Sequence, residues 1–337
     1  MNYSVIIPCY NSRNTISDAI QSIPNKPSDI EIIVIDDGST DDTCSIVNSL
    51  KEEYKSIVLI KQENLGAGAA RQKGVESANG EYILFLDSDD VFDTRAFTVF
   101  DNVVERYPDA DIIRFKHNNF NDISETKTDN NLEQVSDKSS LNNNLISKFN
   151  REAFVKDIFC NEIVDGTVAV TLWGKIYKRE LFRNTVKDYG KNILEDYYIN
   201  MQYYMHVNKC VDINESLYWW RDSNNGTSHK YHTGTPEMIE TVHSYKLSCM
   251  KELGINTDNQ IRRANDWLIR FCAAVMYFMK GMSRKDRKNE YKKIHTILKK
   301  YNVYNNLGNT TGLRDTKILK TKIFSIIDLY YNLRWMK

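Results

Sequence analysis

Short apolar runs alternate with amphipathic segments over the first hundred residues. Runs at residues 3–7, 31–35, 57–60 and 81–86 have the length and the branched or aromatic content of buried strands. The segments between them repeat apolar residues at helical spacing, as expected of helices that pack one face on a sheet. Four alternations of strand and helix predict an α/β fold with a mostly parallel central sheet flanked by helices. We expect Pro8 to end the first strand, because proline cannot donate to a sheet ladder.

The remainder of the chain has a less regular pattern. It predicts a helix at 96–107, a strand at 111–115, an exposed excursion at 118–144, a helix at 150–159 and a strand at 217–221. From about residue 235 the apolar spacing is helical. The pattern therefore predicts an α/β part followed by a helical C-terminal region.

Acidic residues directly follow two of the predicted strands. Asp36 and Asp37 follow the second strand, and Asp87, Asp89 and Asp90 follow the fourth. Because neighbouring parallel strands have their carboxyl ends at one edge of a sheet, both groups would border the crevice where α/β proteins bind ligands. A hard cation that joins the carboxylates to a ligand's phosphates would offset their repulsion. The alternative is a solvated acidic turn that caps the next helix.

A glycine-rich segment opens the helix after the third strand. Gly66 and Gly68 do not form a dinucleotide-binding fingerprint, because that motif follows the first strand and Arg71 stands where its third glycine would be. The simpler interpretation is that these glycines permit a tight entry into the helix. Arg71 could still reach an anionic ligand.

Charge and cysteine content narrow the class of protein. The 337 residues carry a formal net charge of zero, yet basic residues far outnumber acidic ones from Lys280 onward. That surplus indicates an anionic partner, although no nucleic-acid reading module accompanies it. The six cysteines form no CxxC pair, which favours a reducing compartment. We expect neither a secretory signal peptide nor a membrane-spanning helix, because no apolar stretch is suitable.

Four motifs, taken together, resemble glycosyltransferase family 2, whose members have the GT-A nucleotide-sugar-binding fold. They are SVIIPCYN at 4–11, IDDGSTD at 35–41, NLG at 64–66 with ARQKG at 70–74, and GEYILFLDSDD at 80–90. Their order and spacing match the family as a set, which is far more specific than any one motif. The resemblance covers about the first hundred residues.

On the donor side, the resemblance implies that Pro8 to Tyr10 and Asp37 cradle the base and ribose of a nucleotide. Asp37 would contact the uracil edge, and Arg71 would lie near the base or the diphosphate. The expected donor-binding residues are therefore Pro8, Tyr10, Asp37, Arg71 and Asp87.

For a metal, the resemblance implies that Asp87 and Asp89 form a DXD motif, which holds Mn2+ or Mg2+ on the diphosphate. Asp90 is an alternative ligand. Oxygen ligands suit these ions, whereas zinc would prefer His or Cys. Arg221 and His229 resemble residues that neutralise the diphosphate or complete the metal shell, and the alternative for His229 is a solvated loop histidine.

On the acceptor side, the stretch from Trp173 to Tyr177 resembles one that lines the acceptor site in the family. Glu195 and Asp196 begin a predicted helix, where the helix dipole alone could explain two acids. The family has an acidic pair at this place. Asp196 matches its general base, which deprotonates the acceptor hydroxyl.

These features predict an inverting, divalent-metal-dependent glycosyltransferase of the hexosyl-transferring type. It would move a sugar from a nucleotide donor, expected to be a UDP-sugar, to a saccharide or lipid-linked saccharide in surface polysaccharide or glycolipid synthesis. The alternatives are a nucleotide-sugar-binding protein without turnover and a sugar nucleotidyltransferase.

The predicted catalytic domain spans residues 1–232, with a nucleotide-binding half at 1–115 and an acceptor-binding half at 150–232. Residues 233–337 form a basic helical region. Its amphipathic helices are expected to pack on the catalytic domain, and the alternative is peripheral contact with the inner face of the plasma membrane. We expect a cytoplasmic protein that does not bind nucleic acid.

Overall fold

The computed structural model describes residues 2–26, 28–126, 145–168, 170–190, 194–222, 231–232, 234–303, 327–328 and 330–332. The strands are β1 (Tyr3–Cys9), β2 (Ile30–Asp36), β3 (Ile57–Lys61), β4 (Tyr82–Phe85), β5 (Val91–Phe92), β6 (Ile112–Phe120), β7 (Ile146–Phe149), β8 (Lys175–Lys178) and β9 (Cys210–Arg221). The helices are α1 (Ile16–Gln21), α2 (Thr43–Leu50), α3 (Ala67–Ser77), α4 (Ala96–Arg106), α5 (Arg151–Ala153), α6 (Arg179–Thr185), α7 (Glu195–Tyr204), α8 (Thr235–Glu252), α9 (Asp258–Phe278) and α10 (Arg284–Lys300). A 3-10 turn at Ile123–Thr126 and a π-helical segment at Phe154–Val164 are the irregular helices.

The strands of the described residues form one nine-stranded sheet in the order β3-β2-β1-β4-β8-β6-β9-β5, with β7 paired to β9. β1 pairs in parallel with β2 and β4, and β2 pairs in parallel with β3. Beyond β4 the sheet is mixed, because β8 runs antiparallel to β4 and β6 whereas β6 and β9 are parallel. The predicted α/β fold class is confirmed.

The order of the parallel strands creates a crevice at one edge of the sheet. From β1 the chain moves to β2 and β3 on one side, and then α3 leads to β4 on the other side of β1. Such a reversal leaves room for a ligand beyond the carboxyl ends of the two strands that flank it. The loops after β1 and β4 are joined there by Ser12 and Ser88, whose hydroxyl oxygens are 2.7 Å apart.

Pro8 does not end β1, so that expectation was wrong. β1 continues to Cys9, and Pro8 lies opposite Ile35 of β2. The carbonyl of Ile6 accepts from Leu86 N on the β4 side, and residues two apart in a strand face the same neighbour. The nitrogen of Pro8 therefore points to the β4 side beyond the end of that ladder, where no sheet hydrogen bond is lost.

Close contact between α3 and the sheet depends on glycine. A Cβ at Gly74 would collide with the side chain of Ile6 in β1, and one at Gly68 would collide with the backbone of Tyr189. At the start of the helix, Gly66 has a φ of 91°, a conformation that favours glycine. Gly74 thus allows α3 to lie directly against β1, and Gly68 allows its start to approach Tyr189.

Contacts divide the chain into two compact units. One unit contains Met1–Phe154 and Thr171–Asn224, and the other contains Val155–Val170 and Asn225–Lys337. The second unit includes α8, α9 and α10, and a capping box between Thr257 and Gln260 begins α9. The predicted domain boundary at residue 232 stays a prediction. No helix among the described residues is long and apolar enough to cross a bilayer.

Candidate active site

The loops after β1 and β2 form one side of the crevice. Cys9 and Asp36 are the last paired residues of these strands, and Asp37 N donates to Cys9 O at 2.9 Å. Tyr10 is 50% exposed, so a planar ligand can reach its ring. The structure thus places Pro8, Tyr10 and Asp37, three of the expected donor-binding residues, at the ends of two adjacent strands.

Asp37 organises the loop that leads into α3. Its Oδ1 accepts from Gln62 Nε2 at 2.7 Å and from Leu65 N at 2.9 Å, and its Oδ2 accepts from Gly66 N at 2.9 Å. Asp37 is buried, and a buried carboxylate requires such partners. The three bonds fix the turn at Gly66 and thereby the start of α3.

The acids after β4 lie in different environments. Asp90 is buried, and its two oxygens accept from the Tyr218 hydroxyl at 2.7 Å and from Arg221 N at 2.8 Å. Burial, with repulsion from Asp87 and Asp89, raises the pKa of Asp90. Since β9 engages both oxygens of Asp90, the geometry favours Asp87 and Asp89 as the acids that face a ligand.

Asp87 and Asp89 fit the donor set of a hard cation. Burial, together with repulsion from Asp87, raises the pKa of Asp89 to about 6. A divalent cation would relieve this repulsion, and Mg2+ is commonly held by one or two carboxylates together with substrate phosphates and water. Within the described residues, no group of three or more His, Cys, Asp or Glu is spaced to hold a metal ion. His229 lies outside the described residues.

Arg221 braces the acidic loop. Its Nε donates to Asp89 O at 2.8 Å, and its Nη2 donates to Asp18 Oδ2 at 3.2 Å. The guanidinium also lies 4.5 Å from the centroid of the Phe120 ring, a cation–π distance. These contacts hold the loop between α1 and β9, and they place a fixed positive charge beside Asp89.

Arg71 joins the acidic loop to the start of α7. Its Nη2 is 3.0 Å from Asp87 Oδ1, and its Nη1 is 3.0 Å from Glu195 Oε1 and 3.4 Å from Asp196 Oδ1. Although burial opposes it, attraction to Asp196, Asp87 and Glu195 raises the pKa of Arg71, which stays charged. The expected donor-binding arginine is thus surrounded by carboxylates.

Asp196 lies in the first turn of α7, where the general base is expected. Its Oδ2 accepts from Leu172 N at 3.2 Å, and its Oδ1 makes no hydrogen bond within the described residues. Burial raises the pKa of Asp196 to about 7, against the attraction of Arg71 and with repulsion from Glu195 and Asp87. A carboxylate with these properties can accept a proton near neutral pH.

Trp173 connects Tyr218, which binds Asp90, with Leu172, whose amide binds Asp196. Its ring stacks on Tyr218, the partner of Asp90, with centroids 4.8 Å apart and planes at 6°. The edge of His117 meets Trp173 at 4.7 Å, and burial and the nearby Lys175 lower the pKa of His117. Trp173 is only partly buried. A half-exposed aromatic beside the acids is consistent with the expected acceptor side.

The structure brings together residues that the sequence left on separate sides of the site. Asp87 and Asp196 share Arg71, a contact that the sequence analysis missed, as it missed Asp18 as a partner of Arg221. One signal was present. Arg71 lies among small residues on the face of α3 that is buried against the sheet, and a buried guanidinium requires carboxylate partners.

Comparison with known proteins identifies the family. The family model described as Glycosyl transferase family 2 matches residues 4–158. Glycosyltransferase GlyA of Streptococcus pneumoniae serotype 4 is 32% identical over 225 residues, which are 65% of this chain and 30% of GlyA. The matched residues, 4–158, belong to glycosyltransferase family 2. Recognition of the family from four motifs is confirmed.

Other relatives are named for different acceptors. The cholesterol galactosyltransferase of Borreliella burgdorferi is 29% identical over 251 residues, 73% of this chain and 64% of the relative. The poly(ribitol-phosphate) beta-glucosyltransferase of Bacillus spizizenii is 42% identical over 101 residues, 28% of this chain and 16% of the relative. In GlyA and in both of these relatives, the match spans less than two thirds of the relative's own length.

Solved structures share the fold of this chain. TarS 1–349 of S. aureus matches with a TM-score of 0.64 and 16% identity, covering 100% of this chain and 92% of that chain. TarS 1–349 in complex with UDP-GlcNAc matches with a TM-score of 0.65, covering 98% and 92%. At this identity the similarity is one of fold alone, and it confirms the predicted GT-A fold.

We predict that Asp37→Asn loosens the loop before α3. An amide accepts through one oxygen only, so at least one of the amides of Leu65 and Gly66 loses its partner. Hydrogen exchange at that amide should accelerate about fivefold, as expected for the loss of about 1 kcal/mol. The amide of Gln62, which donates to Asp36 O, is an internal reference.

The matched control for Asp37→Asn is Asp41→Asn, since Asp41 accepts from Thr43 and Arg13 in a neighbouring loop. This variant should leave exchange at Leu65 and Gly66 unchanged. Equal exchange at both amides in the Asp37→Asn variant and the unaltered protein would contradict the assigned role of Asp37.

Proposed function

We propose that this chain is an inverting glycosyltransferase that transfers a sugar from a uridine diphosphate donor to a hydroxyl acceptor. One observation carries the proposal: Arg71 links Asp87, beside a nucleotide-type crevice, to Asp196, a separate half-buried acid with a raised pKa. Family membership supports the reaction class. The complex of TarS with UDP-GlcNAc supports a uridine donor.

In this proposal Asp196 is the general base. The acceptor hydroxyl oxygen forms a bond to the anomeric carbon as its proton passes to Asp196, and the bond from that carbon to the diphosphate oxygen breaks. Inversion needs one such base, on the face of the sugar opposite the leaving group. The products are the glycoside and UDP, and Asp196 returns its proton to solvent. Within the chain, Leu172 N donates to Oδ2 of Asp196, and Arg71 Nη1 lies 3.4 Å from its buried Oδ1.

Tyr10 and Asp37 are proposed to bind the uracil. The exposed ring of Tyr10 offers a stacking surface, and Pro8 precedes it at the end of β1. Each oxygen of a carboxylate can accept about two hydrogen bonds. Because Asp37 Oδ2 accepts only from Gly66 N among the described residues, it has capacity for an N–H of the base.

Asp87 and Asp89 would hold Mn2+ or Mg2+. When bound, such an ion supplies positive charge beside the departing diphosphate. The chain's own part is to fix the two carboxylates, because Arg71 pairs with Asp87 and Arg221 binds the backbone of Asp89. Asp90 remains bonded to β9 in this arrangement.

The acceptor stays a broader prediction. The names of two relatives indicate acceptors as different as cholesterol and poly(ribitol-phosphate). A saccharide or lipid-linked saccharide acceptor therefore stays a prediction from the sequence. The same holds for a cytoplasmic location and for a role of His229.

α10 carries a file of lysines that we propose as a contact for an anionic lipid surface. Lys285, Lys288, Lys292 and Lys299 are exposed, and their spacing places them on one face of the helix. α10 itself places no acid on this face. Its Asp286 caps the helix with Ser283, and its Glu290 binds Tyr231 and Lys293.

The rest of α10 determines the kind of membrane contact. Its apolar side chains are covered, since Tyr291, Ile294, Ile297 and Leu298 are buried. The helix therefore cannot insert an apolar face, and the proposed contact is electrostatic. Each lysine near an anionic surface contributes about 1 kcal/mol, so a file of four gives weak, salt-sensitive attachment.

For the base, we predict that Asp196→Asn lowers the transfer rate at least about a hundredfold, because proton transfer by a positioned side chain contributes that much. UDP affinity should be nearly unchanged. In the unaltered protein the base must be deprotonated, so kcat should rise with pH and level off above about 7, where Asp196 is ionised. The measurement is UDP release from UDP-sugars across pH, with calorimetry for UDP binding.

The control for Asp196→Asn is Glu180→Gln, an exposed acid in the first turn of α6. Normal transfer by Asp196→Asn would refute the assigned base. UDP binding without turnover in the unaltered protein would favour a non-catalytic binding protein. Pyrophosphate in place of UDP as the product would favour a nucleotidyltransferase.

For the metal site, we predict that Asp89→Asn abolishes the increase in UDP affinity that Mn2+ produces. Asp90→Asn should retain it within about threefold, since Asp90 is engaged by Tyr218 and Arg221. Calorimetric titration of UDP with and without Mn2+ measures both. The assignment fails if Asp90→Asn removes the Mn2+ effect while Asp89→Asn preserves it.

For the lipid contact, we predict that changing Lys285, Lys288, Lys292 and Lys299 together to Gln removes flotation with anionic liposomes. The same four changes to Arg keep the charge and should preserve flotation. Zwitterionic liposomes should bind neither form, and salt at about 0.5 M should release the unaltered protein. Equal flotation of the Gln and Arg forms would rule out the lysine file as the contact.

A further inference from the structure

The guanidinium of Arg71 lies behind the acids that it binds. Its side chain is 6% exposed, whereas the side chains of Asp87, Asp196 and Glu195 are 30%, 23% and 17% exposed. A ligand in the crevice therefore meets the carboxylates before it meets Arg71. Arg71 can therefore lie near the base or the diphosphate, as the resemblance implies, without touching either.

The two ends of the guanidinium serve different sides of the site. Nη2 binds Asp87 on the donor side, while Nη1 binds Glu195 and lies beside Asp196 on the acceptor side. A guanidinium is planar and rigid, so groups bound to its two ends keep a fixed separation. One side chain thus sets the position of a carboxylate on each side of the site.

The surroundings of Arg71 keep this group in place. α3 holds it against the sheet through the close approach of Gly74 to Ile6. Asp196 is held independently by Leu172 N, and Asn200 Nδ2 donates to Asp196 O at 2.8 Å. The guanidinium is therefore held by α3. The acid that it faces in α7, Asp196, is held by hydrogen bonds of its own.

We infer that Arg71 is a positioning residue that couples the donor-side Asp87 to the acceptor-side pair Glu195 and Asp196, without contacting the donor. The inference rests on the proposed function for the meaning of these two sides. Its physical basis is a shared partner: the position of one guanidinium depends on all three carboxylates, so a change at one of them alters its distance to the others. By linkage, an event at Asp87 changes the acceptor side and the reverse.

The first experiment replaces Arg71 with lysine. Lysine keeps the charge, but a single ammonium cannot span both sides as a guanidinium does. Arg71→Lys should lower kcat roughly ten- to a hundredfold, as loss of a supporting partner commonly does, while metal-free UDP affinity stays within about threefold. A loss of metal-free UDP affinity equal to the loss of kcat would show that Arg71 binds the donor directly, and it would overturn the inference. So would unchanged kcat in a folded Arg71→Lys variant.

The matched control is Arg183→Lys. Arg183 lies in α6 and contacts the C-terminal end of α3. Arg183 donates to the carbonyls of Val75 and Ala78 and contacts none of the three acids. Its replacement tests whether the loss of another arginine that binds α3, here a partly buried one, also reduces turnover. Arg183→Lys should change thermal stability and leave kcat within about threefold. A fall in kcat as large as that of Arg71→Lys would reduce the effect to general destabilisation and overturn the inference.

The second experiment needs no turnover and retains Arg71. Glu195→Gln removes one carboxylate, so Arg71 shifts toward Asp87 and Asp87 attracts a cation less. Calorimetry with UDP and Mn2+ should show a loss of affinity of about threefold or more in this variant. The same change made together with Arg71→Lys should have a smaller effect. Additive effects, or no effect of Glu195→Gln alone, would contradict the coupling.

The two experiments separate the inference from the proposed function. If the unaltered protein binds UDP with Mn2+ but transfers no sugar, the proposed function fails and the binding cycle still decides the coupling. If transfer occurs and depends on Asp196 while the cycle is additive, the proposed function stands and the coupling is wrong.

Discussion

Negative charge gathered at one edge of the sheet is the constraint on which this site depends. Carboxylates at buried or half-buried positions repel each other and lose hydration, and the fold tolerates them only where cations or hydrogen-bond donors face them. Arg71 supplies positive charge and hydrogen-bond donors on one side of the acidic loop, and Arg221 supplies them on the other. The two arginines hold different parts of the loop, since Arg71 binds a side chain and Arg221 binds the backbone.

Asp90 shows how the fold separates structural acids from acids that can face a ligand. Its two oxygens are taken by β9, through the Tyr218 hydroxyl and the Arg221 amide. Tyr218 in turn stacks on Trp173, which follows Leu172, the backbone partner of Asp196. A continuous path of packed and hydrogen-bonded groups therefore runs from the acidic loop to the start of α7, independent of Arg71.

The sequence predicted the parts of the fold that depend on local patterns. Short apolar runs gave β1 to β4, and acids directly after strands gave the edge of the crevice, because both signals lie within a few neighbouring residues. The end of β1 was misjudged at Pro8, since the cost of a proline depends on whether a neighbour strand extends that far. How far the neighbouring strand extends is a property of the tertiary structure. It follows from β4, whose last paired residue lies opposite Ile6.

Which charges meet could not be read from the sequence. Arg71 and Glu195 are 124 positions apart, and their contact depends on α3 and α7 packing beside the same sheet edge. The chain offers many arginines and acids, so composition and spacing leave the pairing open. The small residues around Arg71 in α3 indicate its burial, but they do not indicate which acids face it. The charge of an exposed arginine can be balanced by solvent or by a ligand, whereas a buried arginine must be neutralised by the protein itself.

This pairing makes the site a set of mutually dependent residues. Removing one member of a buried ion pair leaves a charge without its partner, which is costly, whereas the complete set is tolerated. The acids therefore cannot be altered one at a time without affecting those that share Arg71. Under the proposed function, different sugars or acceptors are more easily accommodated by uncharged side chains at the margins of this set, such as the exposed Tyr10 and the partly buried Trp173. In the proposed transfer to a hydroxyl, the charged set would supply the base and the metal ligands, and the uncharged margins would determine which molecules reach them.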